Sequence, residues 1–312
     1  MKSWSRLEVN DLPLVWQYIS KALERGLENY NYNLIECLWI GGSNSTLLFK
    51  TVDDVLCVSR HACYGVRTNK LLFPPISLSG DEEKEVQVMR DLLRMGTTAR
   101  VPKSYAIKHN LDHSNESQWS GGHEIIYTKE ALNLKGKSYA TERAECNKLK
   151  RFISEGKIEV VENAPLKELL PLSSRWKKQR GYEEGLFDLI WKEKEVLKPH
   201  LNNFSLRYEG KIIYTSLLLS LSKGVLISPC AMTDFSSSPL SSLQKATKIL
   251  LLESDPSLTK IIEGGYDSEG VKNSKKAIPH KVNKQVRLVS PKKLSKEEWD
   301  NLKPPTANFF GI

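Results

Sequence analysis

Arg143, Asn147 and Lys150 fall at helical spacing inside the stretch EIIYTKEALNLKGKSYATERAECNKLKRF, residues 124–152. On a helix the three share one face. A guanidinium, an amide and an ammonium on one face suit a phosphate-bearing ligand, because they offer many donors and positive charge together. The stretch is cationic throughout. Between Lys135 and Arg151, Lys135, Lys137, Arg143, Lys148, Lys150 and Arg151 are opposed only by Glu142 and Glu145. A solvated surface helix is the plain alternative for such a composition.

A second basic stretch runs from Val271 to Lys293. It holds Lys272, Lys275, Lys276, Lys281, Lys284, Arg287, Lys292 and Lys293, and no acidic residue. Such a run attracts phosphates in a salt-sensitive way. No aromatics interleave with it for base stacking, so sequence-specific reading of nucleic acid is not expected there. Between the two stretches, Met232–Ser242 (MTDFSSSPLSS) leads from a strand into a helix. Its hydroxyls suit helix capping, and a helix N-terminus favours an anion. Searches for a phosphate-binding Walker loop, a G-x-S-x-G elbow or an H-E-x-x-H helix find none. GGSNST at Gly41 lacks the lysine that a phosphate cradle needs. His109, His113 and His123 have only Asp112 beside them, so no metal is expected.

The order of features in residues 124–152 adds to this. A strand ending in Tyr127 is followed by Leu134, Lys135, Gly136, Lys137, Tyr139, Arg143, Asn147 and Lys148. This block resembles the C-terminal domain of bacterial phosphatidylglycerol lysyltransferases and their soluble stand-alone relatives. The sequence departs from the family pattern at Ala144 and Glu145, where the family has Asn-His. Weaker echoes are Asn29-Tyr30-Asn31-Tyr32 with Trp39, Phe73-Pro74-Pro75-Ile76, and Glu269, Gly270 and Lys275 in the segment 264–276.

The resemblance implies an α/β fold of two tandem GNAT-like domains with mixed sheets. It also implies aminoacyl transfer from an aminoacyl-tRNA to an amine or hydroxyl of a small molecule, peptide or lipid. On that basis Lys135, Lys137, Arg143, Asn147, Lys148, Lys272, Lys275 and Lys276 are the expected tRNA- or substrate-binding residues. Asp234 and Glu269 are the carboxylates expected nearest the cleft, to hold an α-ammonium or accept a proton. Tyr139 is the expected proton donor, with Tyr214 and Tyr266 as other phenols. No cofactor is expected beyond the aminoacyl-tRNA co-substrate. A CoA thioester is the alternative donor, although the Gln/Arg-x-x-Gly-x-Gly/Ala loop of CoA-using GNAT enzymes is absent. Two other classes stay open: an acyl-CoA-dependent N-acyltransferase, and a non-catalytic phosphate- or RNA-binding protein on the same fold.

Positioning these residues requires elements that the pattern predicts. Helices are expected over 7–26, 81–95, 166–179, 184–197, 239–252 and 296–302. Strands are expected over 34–40, 47–50, 55–60, 101–107, 124–127, 158–161, 204–208, 211–221, 225–230, 260–263 and 285–289, with 71–78 an extended edge. The polar run 109–122 reads as a connector between an N-terminal domain, 1–108, and a C-terminal domain, 123–312. At 312 residues with 40% hydrophobic composition, the chain supports two cores. The net charge of +9 favours anionic partners, including peripheral contact with an anionic membrane. Five scattered cysteines without a C-x-x-C read as buried free thiols. With no signal peptide and no apolar run of membrane length, the expected location is cytoplasmic.

Overall fold

Asp81 opens a helix because its carboxylate accepts from the Lys84 amide at 3.0 Å, satisfying one free donor. The helix Glu82–Arg94 then buries Val86, Met89, Leu92 and Leu93 on one face. Gly96, at φ +84°, follows it. The computed structural model describes residues 4–35, 45–62, 69–115, 124–181, 185–197, 201–264, 275 and 277–288. The chain divides into two units, Met1–Ser117 with Lys284–Ile312, and Gln118–Asn283.

The first unit is a mixed sheet with helices. Its strands are β1 (Ser5–Arg6), β2 (Ser45–Val52), β3 (Val55–Ala62), β4 (Asn69–Leu71), β5 (Ile76–Ser77), β6 (Thr98–Pro102) and β7 (His113–Asn115). The order is β1-β2-β3-β4-β6-β15-β7, with β5 beside β3 and β15 being Gln285–Leu288. Its helices are α1 (Leu12–Glu24), α2 (the Asp81-capped helix) and α3 (Lys103–Lys108). Leu48, Val55, Leu71, Met89, Val101, Val286 and Leu288 belong to one core.

Four sequence expectations differ here. The strand expected over 101–107 ends at Pro102, whose missing N–H and fixed φ suit a helix entry, and α3 begins at Lys103. The strand expected at 34–40 starts as a helical turn at Leu34–Ile35, and 36–40 lie outside the described residues. His113–Asn115, within the expected connector, pairs antiparallel with β15 as a strand. β15, expected with the C-terminal domain, pairs with β6 over Gln285–Leu288 and so belongs to the first sheet. The helix expected over 296–302 lies outside the described residues.

The second unit holds β8 (Glu124–Thr128), β9 (Ile158–Glu162), β10 (Leu201–Tyr208), β11 (Lys211–Ser222), β12 (Val225–Thr233), β13 (Lys260–Glu263) and β14 (Lys281–Asn283). The sheet order is β14-β8-β13-β12-β11-β10-β9. All pairs are antiparallel except β12–β13. Its helices are α4 (Ala140–Ser154), α5 (Leu166–Arg180), α6 (Leu186–Lys192), α7 (Lys194–Leu197) and α8 (Leu243–Ser254). Cys146 and Leu149 of α4 and Leu243, Ala246, Ile249 and Leu252 of α8 share one core with Ile125, Tyr127, Leu206, Tyr214 and Ile261 of the sheet. This is a mixed α/β architecture in two units, each built on a mixed sheet, as the resemblance of residues 124–152 implies.

Candidate functional site

The helical spacing of Arg143, Asn147 and Lys150 does place all three on one surface. They line a cavity of about 520 Å³ together with Leu132–Gly136, Cys146, Ile249 and Glu253. Lys135 joins them there. Two of the cations are already engaged by the protein. The Arg143 guanidinium donates to the carbonyls of Leu134 and Gly136, the latter at 2.7 Å, and so closes the Leu-Lys-Gly turn. Gly136 makes that turn at φ +89°, where a side chain is strained. The Lys150 ammonium pairs with Glu253 of α8 at 2.7 Å. Burial raises the Cys146 thiol to about 11, so it lines the cavity as a neutral group.

The adjoining face of α4 is stitched to the entrance of α8. Lys148 donates to the Pro239 carbonyl at 2.8 Å. Glu145 accepts from the amides of Ser241 and Ser242 at 2.9 and 3.1 Å. Ser241 and Ser242 immediately precede α8, so a carboxylate of this chain sits at the approach to a helix N-terminus, which favours an anion. Glu145 is one of the two residues by which the sequence departs from the Asn-His pattern, and its bonds to Ser241 and Ser242 ahead of α8 give that departure a physical role.

Asp234, just beyond β12, is fully buried. One carboxylate oxygen accepts from Arg175 of α5 at 2.6 Å. The other accepts from Gln179, from the Ser236 hydroxyl and amide, and from the Ser237 amide. Burial alone would raise its pKa, but the bonds from Ser236, Arg175, Ser237 and Gln179 outweigh burial and hold it well below the carboxylate range. Tyr139 stands before α4 and packs against the core. Lys137 begins a short 3-10 turn ahead of it. Glu269, Lys272, Lys276 and Tyr266 lie outside the described residues.

The structure brings forward a group that sequence reading did not single out. β12 and β13 run parallel in register only from Val225↔Lys260 to Ile227↔Ile262. Beyond that point β12 continues to Thr233 with no strand on that side among the described residues. Glu263 is the first residue past the fork and is 3% exposed. Its carboxylate pairs with Lys248 of α8 at 2.7 Å and lies 3.7 Å from the Lys275 ammonium. Burial would raise the Glu263 pKa, but Lys248 and Lys275 overcome it and keep the carboxylate ionised. Lys275 also donates to the Gly264 carbonyl. Tyr127 donates to the Lys275 carbonyl at 3.1 Å, and Lys248 lies 4.7 Å over its ring. The Tyr214 hydroxyl is buried, and burial and the Glu263 charge push its pKa up. The sequence signals were a lysine on the apolar face of LQKATKILLLES and a glutamate closing the apolar strand KIIE.

No protein-family model and no curated protein match the chain. Solved structures do. A conserved protein of unknown function from Bacteroides thetaiotaomicron superposes with a TM-score of 0.63 at 16% identity, covering 92% of this chain and 100% of that one. L-PGS from Bacillus licheniformis gives 0.56 at 16% identity, over 80% of this chain and 86% of that one. The C-terminal domain of a protein described as a lysylphosphatidylglycerol synthetase, from Agrobacterium fabrum, gives 0.54 at 14% identity, over 87% and 91%. The chain therefore shares its fold with the proteins that the Leu134–Lys148 motif resembles.

Proposed function

We propose that the chain is an aminoacyltransferase that moves an aminoacyl group from the 3′ ester of an aminoacyl-tRNA to an amine or hydroxyl acceptor on a small molecule, peptide or lipid. The observation that carries this reading is the fork between β12 and β13. Past Ile227, β12 offers backbone donors and acceptors to whatever lies along it, and such groups need partners. An extended acyl group is a fitting partner, since main-chain bonds fix its position without reading its side chain. An activated ester needs little acid–base assistance. Positioning and stabilisation of the oxyanion then supply most of the rate. The Lys248 and Lys275 ammonium groups beside Glu263 are donors of the kind that stabilise such an oxyanion.

The donor follows from charge. Glu145 already accepts from the Ser241 and Ser242 amides just ahead of α8, so a CoA pyrophosphate at this junction would meet a carboxylate. The surplus of +9 favours a polyanion. In this reading Lys135 and Asn147 of the cavity, with Lys272 and Lys276, face the tRNA acceptor end. Asp234 and Arg175 hold the junction in shape, while Glu269 and Tyr139 remain the proposed carboxylate and phenol of the cleft.

The test is a filter-binding and transfer assay with a mixture of radiolabelled aminoacyl-tRNAs, with and without an acceptor pool from cell extract. The expected result is salt-dependent binding, with one label passing from tRNA into a new product. Absence of binding at low salt overturns the tRNA reading. Thermal stabilisation by CoA but not by tRNA would put the acyl-CoA-dependent class in its place.

A further inference from the structure

Four large apolar side chains stand exposed among the described residues: Leu14, Ile107, Phe235 and Val282. Phe235 is the aromatic one, at 56% exposure. It follows Asp234 in the loop between β12 and α8. That loop is not slack: Asp234 anchors it to α5 through Arg175 and Gln179. The anchoring brings the last turn of α5 beside it, and the Arg180 guanidinium lies 5.5 Å over the Phe235 ring. Lys178, Gln179, Arg180, Phe235 and Ser236 are all exposed. The other cations of this helix end are spent, Arg175 on Asp234 and Lys177 on Asp188. Lys178 and Arg180 have no carboxylate partner among the described residues.

An exposed aromatic ring with a guanidinium stacked on it, beside a second unpaired cation, is costly as a bare surface and apt as a recognition surface. A ring and a guanidinium plane accept the face of any nucleobase, and the two charges accept the phosphates on either side. We propose that Phe235 and Arg180 form a stacking platform for an unpaired base at the 3′ end of an RNA, with Lys178 and Arg180 on its backbone. This rests on the aminoacyl-tRNA reading and extends it to the nucleotide that carries the ester. The location fits. Phe235 lies two residues beyond Thr233, the end of β12, so its backbone is within about 7 Å of the strand proposed to take the acyl group. A base held there places its ribose, and the ester on it, toward the open edge of β12.

The experiment compares two fluorescent RNA hairpins by anisotropy, an acceptor-stem hairpin with an unpaired 3′ tail and the same hairpin with a blunt end. The wild-type protein is expected to prefer the tailed RNA. Phe235→Ala should weaken tailed binding about ten-fold and leave blunt binding unchanged, whereas Phe235→Trp should retain the preference. Arg180→Ala should also weaken tailed binding and flatten its logarithmic salt dependence by about 0.7. Equal binding of both hairpins by wild-type protein, or unchanged tail preference in Phe235→Ala, overturns the platform. So does loss of binding to anionic phospholipid vesicles in Phe235→Ala with RNA binding intact, which would make the patch a membrane contact. Phe235-dependent tail binding without label transfer in the assay above would leave the platform standing and remove the transferase reading. Transfer with the same KM in wild type and Phe235→Ala would do the reverse.

Discussion

A single side chain can tie two elements and set the pH range over which they hold. Asp234 is such a residue, since both its oxygens are engaged and its pKa is depressed. Asp234→Asn should cost about 3 kcal/mol in urea unfolding near pH 7, because Arg175 loses its charged partner. The sign of the pH effect follows from the depression. The contribution is fully present above the unfolded value of about 4 and declines as pH falls toward the lower folded value. The gap between wild type and Asp234→Asn should therefore narrow below about pH 4 and stay constant above about pH 5. Glu145 acts more modestly. Glu145→Ala should destabilise by about 1 kcal/mol, seen as a lower thermal midpoint, because the Ser241 and Ser242 amides lose their acceptor. Sequence showed Asp234 and the departure at Glu145 but not what each one touches. Contacts from Arg175 to Asp234 and from Glu145 to Ser241 span many residues, and no local pattern encodes them.

Elements read well where local chemistry decides them and poorly where tertiary pairing does. α2 was legible because Asp81, the apolar repeat and Gly96 all agree. The β11–β12 hairpin was legible from its Ser-Lys-Gly turn. In that turn Gly224 has φ +78°, and a Cβ there would lie 2.3 Å from the Ser257 carbonyl oxygen. Its own carbonyl accepts from the amides of Thr259 and Lys260. Gly224→Ala should therefore cost about 3 kcal/mol by urea unfolding, combining left-handed strain with a backbone clash. α8 is the contrary case. Its apolar run hides Lys248, whose partner Glu263 belongs to a strand fifteen residues on. Lys248→Met should destabilise by about 3 kcal/mol or more, since Glu263 keeps its charge with half its compensation. Lys248→Met with Glu263→Leu should recover part of that loss, and a double-mutant cycle measures the coupling.

At the scale of the molecule, the order of α/β elements and the basic surplus were visible in the sequence, while the course of the chain was not. The tail after residue 284 reads as the end of the second unit, yet β15 lies between β6 and β7 in the first. Two short apolar positions, Val286 and Leu288, give no hint of which sheet receives them, and both are fully buried there. Truncation after Asn283 should remove amide protection from the first sheet, β6 and β7 foremost, and leave the sheet of the second unit protected in hydrogen exchange. The placement of β15 also bears on how the protein is made. Emerging from a ribosome, residues 118–283 form a contiguous unit that holds all seven of its strands before the tail is synthesised. The unit begun first must wait for residues 285–288 to be synthesised before it receives an interior strand, with the facing edges of β6 and β7 open meanwhile. Birth order and completion order are thus reversed, and the unit begun first is the one that waits with open, aggregation-prone strand edges.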